Sequence, residues 1–205
     1  MGDITRLTIA TRIEEARRGR GEDRIAVVES SNGRLIVVAD GAGGVAGGAN
    51  AAEAICRALT ADANDWAAWL EQRDAALAAS STGLAAAVVL SISDDGMIRG
   101  ASVGDCEAWV FGRGEALNLT GGQVRKPLLG DGGAVPVTFT SRVPSGTLIV
   151  ASDGLWKYMK HARIAELSTM RPLESALAAL VDGVRLRSGT LQDDVGIVMC
   201  EVSGT

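Results

Sequence analysis

Histidine occurs once in this sequence of 205 residues, cysteine three times, and acidic residues outnumber basic ones by 25 to 20. A hard cation such as Mg²⁺ or Mn²⁺ prefers oxygen ligands, so scarcity of histidine does not argue against a metal centre of that kind. Cys56, Cys106 and Cys200 are widely spaced and flanked by apolar residues, which fits reduced core thiols better than disulfides or a zinc site. The net charge is -5, and the arginines are scattered except at Arg17, Arg18 and Arg20, so a basic track for nucleic acid is absent. The longest apolar stretch, Leu84 to Ile92, falls far short of the roughly 20 residues of a membrane span. The N-terminus lacks the apolar region of a signal peptide, and Arg6 stands where a myristoylation signal wants Ser or Thr. A cytoplasmic protein without nucleic-acid or membrane partners is the expectation.

What is present is apolar material. Hydrophobic residues make up 47% of the chain, enough for a substantial core, and one domain over residues 1–205 is expected. Residues 24–31 and 34–39 read as a hairpin turning at Asn32-Gly33, a dipeptide suited to positive φ at both turn positions. Helical composition covers 49–59 and 66–79, where Trp66 and Trp69 read as packing residues. Strands 84–93 and 97–103 flank Asp94-Asp95-Gly96, and shorter strands follow at 107–111, 116–119 and 148–152. Residues 121–135 read as a loop, 163–168 and 173–187 as helices, and 195–202 as a closing strand. Hairpins and paired helices in separate blocks predict an α+β layered fold.

Two of the strands end alike. Leu35–Ala39 runs into Asp40-Gly41, and Leu148–Ser152 runs into Asp153-Gly154. Glu22-Asp23 precedes the first hairpin strand, Asp105 follows Val103-Gly104, and Asp193-Asp194 precedes the last strand. Taken singly, these are ordinary turn residues. Gathered at one rim, they would repel one another and raise each other's pKa unless cations intervened. Clustering would therefore imply a hard divalent metal.

The glycine-rich segment after Asp40 admits another reading. Gly41-Ala42-Gly43-Gly44-Val45-Ala46 fits the relaxed dinucleotide fingerprint, in which glycines let the backbone approach a pyrophosphate. That reading also requires a parallel strand about 20 residues on, ending in an acidic residue. Residues 51–79 read instead as two helices, and the Asp40 carboxylate would repel a pyrophosphate.

The ordered series Arg18-x-x-x-Glu22-Asp23, Asp40-Gly41-Ala42-Gly43-Gly44, Ser81-Thr82-Gly83, Gly104-Asp105, Ser152-Asp153-Gly154-Leu155-Trp156 and Asp193-Asp194 resembles the PP2C (PPM) metal-dependent protein phosphatases over nearly the whole chain. The resemblance implies a four-layer α-β-β-α sandwich, with two central antiparallel sheets flanked by helix pairs. It implies two Mn²⁺ or Mg²⁺ ions at one end, with room for a third. Asp40 matches the bridging aspartate and Gly41 a backbone-carbonyl ligand, while Asp153 and Asp193 match ligands of the first metal. Glu22 matches the acidic residue beside the second metal, with Asp23 in the outer shell, and Asp105 matches a third-metal aspartate. Arg18 matches the arginine that holds the substrate phosphate, a task suited to its planar fork. The implied reaction is hydrolysis of phosphoserine or phosphothreonine on a protein by a hydroxide bridging two cations, with a cognate Ser/Thr kinase as signalling partner.

Departures from the family pattern fall near the expected site. Ala42 stands where many members carry a histidine, Lys157 replaces the usual acidic residue after Leu155-Trp156, and Asp194 and Gly196 replace Asn and Thr or Ser. His161 reads as a surface residue. The family's flap is reduced to Gly121–Leu128, which predicts an open site. These departures keep alive a silent PP2C-fold module that binds a partner or ligand without turnover.

Overall fold

The computed structural model describes residues 6–42, 47–61, 65–112, 114–142 and 146–203. In chain order the elements are β1 (Arg6–Glu14), β2 (Asp23–Ser30), β3 (Gly33–Gly41), α1 (Gly48–Arg57), α2 (Trp66–Ser80), β4 (Ala85–Ser93), β5 (Met97–Val103) and β6 (Glu107–Phe111). There follow β7 (Ala116–Asn118), β8 (Val137–Arg142), β9 (Gly146–Ala151), α3 (Asp153–Trp156), α4 (His161–Leu167), α5 (Leu173–Val184) and β10 (Val195–Ser203). One sheet has the order β1-β10-β9-β6-β7 and the other β2-β3-β4-β5-β8. Every pairing is antiparallel.

The period-2 alternation of strands explains the four layers. Ile36 and Val38 of β3, Val88 and Leu90 of β4, Leu148 and Val150 of β9, and Val198 and Cys200 of β10 form the core between the sheets. Their neighbours Leu35, Val37, Ala39, Ala87 and Val89 pack instead with α1 and α2 residues such as Ile55 and Leu70. On the opposite side Ile149, Ala151, Ile197 and Met199 meet Leu155, Ile164, Leu177 and Leu180 of α3, α4 and α5. Central strands are thus covered on both faces, which is why they read as unbroken apolar runs. Fully burying each Val, Leu, Ile or Met among these contributes about 1.5–3 kcal/mol. The four-layer α+β sandwich expected from the resemblance is the observed architecture.

Several local expectations need correction. No element was expected at 6–14 or 137–142, yet β1 and β8 occupy them as edge strands. Half-exposed edges such as Val137-Thr-Phe-Thr-Ser-Arg142 carry no apolar run to reveal them. The first hairpin turns at Ser31-Asn32, with Ser30 opposite Gly33, and Asn32 is not left-handed. Gly33 alone takes positive φ there, +143°, where an added Cβ would sit 2.1 Å from the Ile92 carbonyl oxygen. The helix expected over 173–187 stops at Val184 because Arg185 is extended. The dinucleotide reading fails on topology, since β3 pairs antiparallel with both β2 and β4. Gly43 to Ala46 lie outside the described residues.

The three cysteines are buried and unpaired. Burial pushes the thiols of Cys56 and Cys200 up to about 12, so they behave as core residues. Trp66 and Trp69 are also buried, edge to face with ring centroids 6.4 Å apart. No helix among the described residues is long and apolar enough to cross a membrane.

Candidate functional site

Strand ends at one rim of the sandwich deliver the acidic residues. Asp40 closes β3, Asp105 follows β5, and Asp153 begins α3 directly after β9. One oxygen from each of these three carboxylates lies within 4.8 Å of the other two. They line a cavity of about 730 Å³ that also receives Glu22, Gly41, Ala42, Asp193 and Asp194. Glu22 and Asp193 are shared with a neighbouring hollow lined by Arg17 and Arg20. The structure therefore brings Glu22, Asp40, Gly41, Asp105, Asp153 and Asp193 to one cavity.

Crowding of like charge leaves a clear electrostatic signature. Burial, reinforced by Asp23, Asp153, Asp105 and Asp193, pushes the Asp40 carboxyl up to about 9. Burial also raises Asp153, against the opposing hydrogen bond and charge of Lys157. Asp153 Oδ2 pairs with the Lys157 ammonium one helical turn on, whereas the buried Oδ1 has no hydrogen-bond partner. An orphaned, buried carboxylate oxygen is costly unless something positive meets it. Three converging carboxylates, one with a free oxygen, suit a hard cation such as Mg²⁺ or Mn²⁺, and no histidine is needed.

A second set of polar groups holds the rim together. Asp23, opposite Asp40 in the β2–β3 register, is buried and accepts a hydrogen bond from Ser152 Oγ at 2.6 Å. The same hydroxyl accepts from the Gly196 N–H at 2.9 Å, joining β2 to β9 and β10 across the two sheets. Burial pushes the Asp23 carboxyl up to about 7, with the Ser152 bond opposing and nearby Asp194, Asp153 and Asp193 adding to the rise. A Cβ at Gly196 would lie 3.3 Å from Asp23 Oδ2, close enough that the carboxylate would have to shift by a few tenths of an ångström to admit it. Asp194 accepts from the backbone N–H groups of Ala16 at 2.8 Å and Glu22 at 2.6 Å, fixing the β1–β2 connection. At Gly154 an added Cβ would fall 1.9 Å from the Asp194 carbonyl oxygen, so the α3 turn requires glycine.

The fold that carries this site recurs in solved structures. A bacterial serine phosphatase superposes with a TM-score of 0.83 at 18% identity, over 98% of this chain and 99% of that one. The S. agalactiae serine/threonine phosphatase gives 0.82 at 21% identity over 97% and 100%. The Mycobacterium tuberculosis serine/threonine phosphatase PstP/Ppp gives 0.78 at 20% identity over 96% and 99%. The chain has the PP2C-like fold. No protein-family model and no curated protein matches the sequence.

Within this PP2C-like fold, the residues that stand where the flap is expected form a short, pinned loop. Leu129 bridges to Ala85, and Gly104 donates to the Val124 carbonyl. Asp74 of α2, buried inside the apolar stripe of Leu70 and Leu77, accepts from the N–H groups of Gly130, Gly132 and Ala134 at 2.7–2.9 Å. The loop brings Arg125, Lys126 and Asp131 to the cavity. Sequence reasoning missed Asp74; its signal was a lone carboxylate at helical spacing between two leucines. It missed the role of Asp194 as well, because backbone acceptance across 172 residues of separation leaves no local pattern.

Arg18 lies exposed in the turn after β1 and lines neither hollow, while its neighbours Arg17 and Arg20 line the second. Asp23 lies in the buried seam beneath Asp40. His161 opens α4, exposed, with its ring 4.4 Å from that of Trp109.

Proposed function

We propose that this protein is a metal-dependent phosphatase acting on phosphoserine and phosphothreonine in proteins, with Mn²⁺ or Mg²⁺ as cofactor. The observation that carries this reading is the convergence of Asp40, Asp105 and Asp153 at an open cavity, with Asp153 Oδ1 unpartnered. The names of the structural relatives support the substrate class. Asp40, Asp105, Asp153 and Asp193 would hold cations on the cavity side, with Glu22 and the Gly41 carbonyl flanking them. Divalent cations, when bound, supply Lewis-acid charge for the phosphoryl oxygens and lower the pKa of water. Asp23, Ser152 and Asp194 keep the rim in place. Arg17 and Arg20 supply positive charge in the hollow beside Glu22, and Arg18, exposed in the same turn, is the residue proposed to swing onto the phosphate ester. Among the described residues the pinned loop borders the cavity without closing it, which suits a phosphorylated segment of a protein substrate.

Residues 1–205 are read as one such domain, paired in signalling with a Ser/Thr kinase. Buried unpaired thiols support a reducing, cytoplasmic setting. The Lys157–Asp153 contact favours one second reading, a module that binds without turnover. Hydrolysis of p-nitrophenyl phosphate with and without Mn²⁺ separates the two. Metal-dependent turnover that is lost in Asp153→Asn supports the phosphatase; Mn²⁺ binding without turnover supports the silent module.

A further inference from the structure

Lys157 is a cation that this chain itself sets against the carboxylates of its acidic rim. It follows Asp153 by four residues, so the α3 turn sets its side chain above the strand end that delivers the carboxylate. Its ammonium pairs with Asp153 Oδ2 and lies 3.9 Å from Asp193 Oδ2. It also lines the cavity that holds Asp40 and Asp105. The side chain is 43% exposed, so it reaches the carboxylates from the solvent side and can withdraw without unpacking the core. Asp153 is thereby split: one oxygen is neutralised by the chain, the other is buried and unpartnered.

We propose that Lys157 is an internal counter-ion that competes with the divalent cation for the Asp153–Asp193 side of the site and so sets the metal concentration at which that side fills. The proposal rests on the metal-centre part of the function proposed above, and does not depend on turnover. A divalent ion sharing Asp153 and Asp193 must displace the ammonium or bind beside it. Either course costs affinity, because the two cations repel at short range and the ion pair is lost. The remedy is also visible: released ammonium has open solvent to enter. Lysine suits such a part better than arginine, being a compact charge on a flexible stem with no fixed fork to hold both carboxylates.

The test is direct Mn²⁺ binding to the purified full chain, followed by the free-Mn²⁺ electron paramagnetic resonance signal and by calorimetry, for the parent, Lys157→Met, Lys157→Gln and Asp153→Asn. Both neutral variants should bind Mn²⁺ about tenfold more tightly, equal to about 1.4 kcal/mol. Asp153→Asn should bind more weakly than the parent. Unchanged or weaker Mn²⁺ binding in both folded Lys157 variants would overturn the proposal, and thermal melts identify any variant that has not folded. Tighter binding without p-nitrophenyl phosphate hydrolysis would uphold the competitor and overturn the phosphatase reading. Absence of Mn²⁺ binding in every protein would overturn both.

Discussion

Asp74 and Asp153 are buried to nearly the same degree, 5% and 7% exposed, yet their surroundings are opposite. Asp74 sits on α2 with both oxygens met by backbone N–H groups of one loop. Asp153 sits among other carboxylates, one oxygen on Lys157 and the other on nothing. Three donors make the first a finished structural tie. The second is a carboxylate whose environment is completed only by added positive charge. Burial alone therefore does not separate a structural aspartate from a functional one; the count of donors around it does.

Substitution at the two positions should separate activity from stability. Asp153→Asn is expected to lower Mn²⁺-dependent hydrolysis by at least about 100-fold, more than the loss of a supporting group around a metal. Its metal-free melting temperature should stay level or rise, since a crowded charge is removed. Parent-like turnover with Mn²⁺ supplied would break the contrast. Asp74→Ala should do the reverse: three partly buried loop N–H groups lose their acceptor, and stability should fall by about 2–3 kcal/mol in urea unfolding. Its Mn²⁺ affinity should remain near the parent's, and a collapse of metal binding at full stability would show that the carboxylate is not a structural tie.

The acidic rim should also make metal-free stability depend on pH. Unfolded, Asp23 and Asp40 titrate near 3.8; folded, they are pushed up to about 7 and about 9 by burial first and neighbouring carboxylates second. Between these values the folded chain binds more protons than the unfolded one, so stability falls as pH rises. The stabilisation is fully present below about pH 4 and is lost as pH climbs through 7 and then 9. Melting scans of chelated protein should move down by several degrees across that window, and saturating Mn²⁺ should flatten the slope. A metal-free melting temperature that rises from pH 5 to 9 would contradict this account.

The smallest effect is expected at a third aspartate. Asp65 caps α2 with one hydrogen bond, to the Ala68 N–H at 3.1 Å, and is exposed. Asp65→Ala should cost about 1 kcal/mol in urea unfolding, with turnover unchanged. A loss as large as that of Asp74→Ala would mean that the number of donors is not what ranks these residues.

Much of the candidate site was legible because its members sit at the ends of strands that announce themselves. Asp40 and Asp153 follow apolar runs, and Asp105 follows another strand, so order along the chain sufficed to nominate them. The edges β1 and β8 were not legible, because exposure on one face removes the apolar run that reveals a central strand. Asp74 was hidden for a related reason: its donors lie 56 to 60 residues away on a loop without regular structure. Lys157 was visible as an unusual residue, but its contact was not.

By itself the sequence determined the α+β layering, since hairpin signals, alternation and apolar runs are local properties written residue by residue, and the ordered motifs that carry the family resemblance implied the four layers and an oxygen-donor site. Tertiary structure alone decided how each carboxylate is met. It placed Asp23 under Ser152, Asp194 on the backbone of the β1–β2 connection, Asp74 on the loop, and Lys157 against Asp153. Hydrogen bonds and ion pairs of this kind depend on a few ångströms of approach between segments far apart in the chain. No local pattern encodes that distance until the two sheets close on each other.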